Sequence, residues 1–188
     1  MARALILYGT TDGHTRKIAA ALAGVLRWEG CRVDVINAQG VTPDVRPDDY
    51  DGVMVAGSIH MGGYQRAVRG WVRRHAEQLN RRRGAFVSVC LGILEQRAEA
   101  QREVREIMAR FLADSGWSPA LTTTVAGALP YTKYGWLKKW IMRRMVAKAG
   151  GDTDTTRDYE YTNWDDVRAF ARTFARQLDA VHTTATVT

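Results

Sequence analysis

Five short apolar runs, RALILY (3–8), RVDVI (32–36), GVMVA (52–56), AFVSVC (85–90) and TTTVAG (122–127), are separated by longer segments of helical period. The helical segments fall at about 15–28, 64–79, 97–113 and 164–178. Strands alternating with helices predict an α/β chain: a parallel sheet with crossover helices packed on both faces. The connection over 37–51 carries Pro43 and Pro47, which oppose a regular helix, so one crossover is expected to be irregular. At 188 residues the chain suits one domain, assigned to residues 1–178, with 179–188 read as a frayed tail.

Composition excludes several classes. Hydrophobic residues make up 46% and charged residues 25%, and no apolar stretch approaches the ~20 residues of a membrane span. MARALILY is followed by no cleavage-type pattern, so a cytoplasmic protein is expected. Cys31 and Cys90 form no CxxC, and His14, His60, His75 and His182 lack metal-ligand spacing, so neither a disulfide framework nor a metal centre is expected. The formal net charge of +7 is concentrated in residues 61–150, which hold 17 basic and 6 acidic side chains. Such an excess suits nucleic acid, an anionic membrane surface, an anionic substrate or simply a solvated face. No helix-turn-helix, RNP-like or zinc motif accompanies it, so nucleic acid is not expected.

In an open parallel sheet, ligands gather at the carboxyl ends of the strands, where the strand order reverses. The first such end reads GTTDGHT (9–15): Thr10, Thr11 and Thr15 offer hydroxyls, Gly13 permits close approach, and the next helix presents unpaired N–H groups. Taken alone, the loop suits a phosphate group or an ordinary cap formed by Asp12 or Thr11. AGSIHMGGY (56–64) is the second end, with Gly57, Gly62 and Gly63, and SVCLG (88–92) is the third. A phosphate loop followed by two permissive loops describes a site for FMN, with phosphate in the first and the flat ring between the others.

These motifs resemble the flavodoxins, and Thr10-Thr11-Asp12-Gly13-His14-Thr15-Arg16 is similar to one branch, the flavodoxin-type menaquinone-dependent protoporphyrinogen IX oxidases. The resemblance continues through YDGVMVAGSIHMGGY (50–64), FVSVCLG (86–92), AGALPYTKYGW (126–136) and GGDTDTTRDYEYTNW (150–164). It implies a flavodoxin-like three-layer sandwich, its five-stranded parallel sheet in the order 2-1-3-4-5, with an insertion at about 128–160. It also implies oxidation of protoporphyrinogen IX in haem biosynthesis, with electrons passing through FMN to menaquinone or ubiquinone. On the same grounds Thr10, Thr11, Asp12, Gly13, His14 and Thr15 would hold phosphate. Gly57, Ser58, Ile59 and His60, with Ser88, Val89, Cys90, Leu91 and Gly92, would line the ring. His60 is the one candidate for proton transfer, and Tyr131, Tyr134 and Trp136 are candidates for substrate contact. Ile59-His60-Met61 stands where the family has an Arg-Tyr pair.

The insertion also has a physical reading of its own. GWLKKWIMRRMVAK (135–148) sets Trp136, Leu137, Trp140, Ile141 and Met145 at helical spacing among Lys138, Lys139, Arg143 and Arg144. A basic, tryptophan-bearing amphipathic helix suits peripheral docking on an anionic membrane, the propionates of a tetrapyrrole, or plain packing on the domain. A flavodoxin-like electron carrier and an NAD(P)H:quinone reductase share the FMN site and remain alternatives, and the chain could associate with copies of itself.

Overall fold

The computed structural model describes residues 1–40, 45–91, 98–129, 131–133 and 154–185. Five parallel strands form one sheet in the order β2-β1-β3-β4-β5. They are β1 (Arg3–Tyr8), β2 (Arg32–Asn37), β3 (Gly52–Ser58), β4 (Arg83–Val89) and β5 (Leu121–Val125). All seven residues of β3 are buried, as expected of a central strand covered on both faces.

Alternating side chains feed two cores. Ala4, Ile6 and Tyr8 of β1 face α1 (His14–Trp28) and the C-terminal helix, where Ile18, Leu22, Leu26, Phe174 and Leu178 pack. Leu5 and Leu7 face the opposite layer, built on Val68 and Trp71 of α2 (Arg66–Arg74), Leu79 of α3 (Ala76–Asn80) and Phe111 of α4 (Ala98–Ser115). A two-stranded antiparallel ribbon, β6 (Ala128–Leu129) with β7 (Tyr159–Glu160), stands apart from the main sheet.

Two boundaries differ from the sequence pattern. The single helix expected over 64–79 is broken at His75, whose φ of −110° and ψ of 15° leave the helical region. There the imidazole lies 4.8 Å from the Trp71 ring and 3.0 Å from Gln78 Oε1, contacts that anchor a bend local propensity does not signal. The last helix, α5, spans Trp164–Ala185 and so continues past residue 178, through a stretch with no glycine or proline to end it. In the 37–51 connection the described residues form two short 3₁₀ turns, Ala38–Gly40 and Pro47–Asp49, which agrees with the irregular crossover expected there.

The open edge of the sheet is stitched by charge. Arg3 of β1 donates to Asp34 of β2 at 2.9 Å and stacks 4.6 Å over the ring of Tyr50, whose hydroxyl also donates to Asp34 at 2.9 Å. Burial, reinforced by the Asp34 hydrogen bond and charge, pushes the Tyr50 hydroxyl from 10.0 up to about 12. Since only the neutral phenol can donate, this contribution to stability is complete below pH 10.0 and is lost as the pH rises towards about 12. Tyr50→Phe is therefore expected to cost ~1–2 kcal/mol at neutral pH. Urea unfolding across the alkaline range should show a flatter decline for the variant than for the wild type.

Candidate functional site

The turn after β1 is shaped by two residues. Gly13 adopts φ 92°, a left-handed conformation that favours glycine, and serves as the N-cap of α1 with no side-chain cap hydrogen bond. Its N–H donates to Thr10 Oγ1 at 2.9 Å, which closes the loop behind the helix end. The cap that sequence allows at Asp12 or Thr11 thus falls at Gly13, and the first turn of α1 carries no acidic residue. A positive helix end whose own first turn holds no carboxylate is a receptor for an anion.

Thr11 is exposed and Asp12 half-buried, whereas Thr15 is only 1% exposed. His14, also expected on the phosphate, is buried and turns its imidazole towards the segment after β7, with Nε2 2.6 Å from Thr162 Oγ1. Thr10, Asp12 and Gly13 line one side of a cavity of about 620 Å³, and Ala128, Asp158 and Glu160 of the ribbon line another.

The second strand end is tied to the first by Gln65, a residue the sequence motifs pass over. Its Oε1 accepts from the Ser58 N–H at 3.2 Å, and its Nε2 donates to Ser58 Oγ at 2.6 Å and to Thr11 Oγ1 at 3.2 Å. A polar side chain just ahead of α2, next to a glycine-rich loop, was the available signal. Beyond Ser58, His60 and Gly63 pair through both backbone groups, at 2.8 and 3.1 Å. The pair projects Met61 (φ 48°) and Gly62 (φ 75°) as a tight tip, with Met61 fully exposed. His60 itself is exposed and Ile59 half-buried.

At the third strand end two expected ring contacts turn inward. Ser88 is fully buried and its Oγ accepts from Tyr64 OH at 2.7 Å, and Val89 packs in the α1–α5 core. Their side chains serve the interior because both lie within β4, one pointing to each face. Cys90 and Leu91 are half-buried, and the Cys90 N–H donates to Val125 O at 3.0 Å. Tyr64 also packs across Gly57, where a Cβ would lie 3.0 Å from its ring. Burial raises the Tyr64 phenol far above its ordinary value, so it stays a neutral donor.

Tyr131, expected to contact substrate, is instead fully buried with Leu129 in a small cluster under the ribbon, its ring edge-on to Tyr159 at 6.1 Å. Gly92, Tyr134, Trp136 and the basic segment 135–148 lie outside the described residues. Among the described residues no helix is long and apolar enough to cross a membrane, and no group of His, Cys, Asp and Glu side chains has the arrangement of a metal site.

Gln65→Leu removes three hydrogen bonds, one to Thr11 of the first loop and two to Ser58 at the second strand end, while keeping the packing of the stem. Affinity for a flavin phosphate is expected to fall about three- to tenfold with little change in thermal stability. A fluorescence titration beside a melting curve checks both.

Comparison with known proteins agrees with this arrangement. The family described as Flavodoxin domain matches residues 5–156. The chain is 34% identical over 177 residues to protoporphyrinogen IX dehydrogenase (quinone) of Escherichia coli (strain K12), covering 94% of this chain and 97% of the relative. The enzyme of that name from Leishmania major is 34% identical over 175 residues, covering 92% of this chain and 74% of the relative. Oxidised Flavodoxin 1 from Bacillus cereus superposes with a TM-score of 0.58 at 13% identity, over 93% of this chain and 98% of that one, a likeness of fold alone. The chain belongs to the flavodoxin family and, within it, to the quinone-dependent protoporphyrinogen IX dehydrogenases.

Proposed function

We propose that this protein holds FMN at the carboxyl ends of β1, β3 and β4, and oxidises protoporphyrinogen IX to protoporphyrin IX while delivering the electrons to menaquinone or ubiquinone. The observation that carries the reading is the kinship with the dehydrogenases, which spans the insertion between β5 and α5 as well as the sheet. The residues present fit the cofactor. Gly13 leaves open space where a Cβ would sit, Thr10 lines the cavity beside it, and no carboxylate in the first turn of α1 neutralises the helix end.

In this reading Thr10, Thr11, Gly13 and Thr15 receive the phosphate, and Asp12 stands at the cavity side of the same loop. The backbone at Gly57, Ser58, Ile59 and His60, and at Ser88, Val89, Cys90 and Leu91, would border the ring. Bound FMN would supply the two-electron redox chemistry that no side chain can perform. The chain's own part would be to bind and orient the ring. The basic aromatic segment 135–148 is assigned to anionic lipid or to substrate propionates, which suits an acceptor dissolved in the bilayer. A chain of net charge +7 lacks the acidic balance of a flavodoxin-like carrier docking on basic partners.

Anaerobic addition of protoporphyrinogen IX to the FMN-loaded protein tests this reading. Bleaching of the yellow flavin band in step with porphyrin formation is expected. A flavin band that stays oxidised would leave an FMN protein with a different electron donor.

A further inference from the structure

His14 is the first residue of α1, directly after the left-handed Gly13, yet its ring serves the ribbon. Thr162 Oγ1 donates to the Ala126 carbonyl at 2.8 Å, and a hydroxyl has one hydrogen to give. The 2.6 Å contact with His14 Nε2 must therefore run the other way, from Nε2–H to Thr162. This assigns the tautomer and leaves Nδ1 as the titrating atom, 3.7 Å from Glu160 Oε2. Glu160 also receives Lys17 Nζ at 3.1 Å and Trp164 Nε1 at 2.9 Å, so its carboxylate is held in place from α1 and from α5.

The charged neighbours of the ring are therefore Glu160 from β7 and Lys17 from its own helix. Asp12, Arg16 and Asp158 line the cavity that His14 also borders, and the Trp164 ring of α5 lies 6.1 Å away. Burial holds His14 below its ordinary value, with Glu160 pulling it up and Lys17 pushing it down. With Nδ1 unprotonated, a lone pair faces a carboxylate, a repulsive contact that one proton converts into an ion pair.

We propose that His14 is a positioning residue that pegs the β6–β7 ribbon to the N-terminus of α1, and that it takes up a proton at Nδ1 when a phosphate group occupies that helix end. This rests on reading residues 9–15 as the FMN phosphate loop. A phosphate monoester brings a charge of about −1.5 to −2 to the first turn of the helix whose first residue is His14, which favours the imidazolium. Phosphate binding and tightening of the ribbon are then one linked event. Because the bound state binds the extra proton, affinity rises as the pH falls through the His14 range.

Two variants separate the peg from the proton. His14→Gln keeps a donor of similar reach to Nε2 but does not titrate, and His14→Phe keeps a ring with neither donor nor charge. FMN and riboflavin affinities are measured by flavin fluorescence between about pH 8 and about pH 5.5, and amide exchange is followed over 126–129 and 158–162. The ratio of wild-type to His14→Gln affinity for FMN is expected to grow about three- to tenfold as the pH falls, while riboflavin shows no such trend. The phosphate's own titration near about pH 6 is common to both proteins and cancels in that ratio. Ribbon exchange should match the wild type in His14→Gln and quicken about tenfold in His14→Phe, with or without ligand. Parallel pH profiles for wild type and His14→Gln, or unaltered ribbon exchange in His14→Phe, would overturn the proposal. If the wild type bound no FMN, the cofactor reading would fail on its own, and exchange in the unliganded His14→Phe protein would still decide the peg.

Discussion

Replacing Gly13 with valine is expected to weaken FMN binding about a hundredfold, equivalent to about 2.7 kcal/mol, while the protein still folds. At φ 92° an L side chain is strained whatever the space around it, and a left-handed residue costs roughly 1–2 kcal/mol before any β-branching is counted. Among the described residues nothing beyond its chain neighbours lies within 4 Å of a Cβ built on Gly13, so packing there is not what resists the substitution. The penalty falls on the turn that presents the helix end and on the space a phosphate must enter. Gly24 is the matched control: it lies inside α1, also has open space at its Cβ, and shows no positive φ. Gly24→Ala should leave FMN affinity unchanged and raise stability by up to ~1 kcal/mol. Equal affinities in Gly13→Val and wild type, measured by flavin titration, would remove the phosphate from this loop.

Phe86→Ala is expected to be the most destabilising of the substitutions considered, at ~3–5 kcal/mol. The ring is fully buried on β4 and makes aromatic contacts with Tyr64 at 5.1 Å, Phe111 at 4.9 Å and Trp117 at 6.1 Å. For a domain of this size each 1 kcal/mol shifts the melting temperature by roughly 2–4 °C, so a fall of about 6–20 °C should be seen in a thermal scan. The site is coupled to the same cluster. Tyr64 leans on Phe86 and Phe111 while its hydroxyl reaches Ser88 and its ring covers Gly57, so loss of the Phe86 wall should also loosen flavin binding. A melting shift under about 3 °C would mean that Phe86 does not organise this core.

The parallel sheet was legible because strands buried on both faces read as unbroken apolar runs, as in RALILY and GVMVA. The turn after β1 was legible as a strand-to-helix junction, but threonines and a glycine there left a phosphate cradle and an ordinary cap both open. What sequence could not show are features set by distant partners. His14 looked like part of the phosphate loop, but Thr162, 148 residues away, draws its ring to the ribbon. Gln65 became visible only when β1 and β3 were placed side by side, bringing Thr11 and Ser58 within its reach. Ser88 and Val89 fall in the apolar run 85–90 and were expected to line the ring from its end, whereas β4 extends to Val89 and buries both side chains. The break at His75 is a departure of the backbone that its contacts with Trp71 and Gln78, both at helical spacing, do not signal.

Porphyrin fluorescence developed from protoporphyrinogen IX by the FMN-loaded protein, with and without a quinone, is the decisive measurement. Fluorescence is expected to rise at a rate set by protein and quinone together, and to fall in parallel with flavin affinity in Gly13→Val. A protein that retains FMN but forms porphyrin no faster when quinone is added would contradict that expectation.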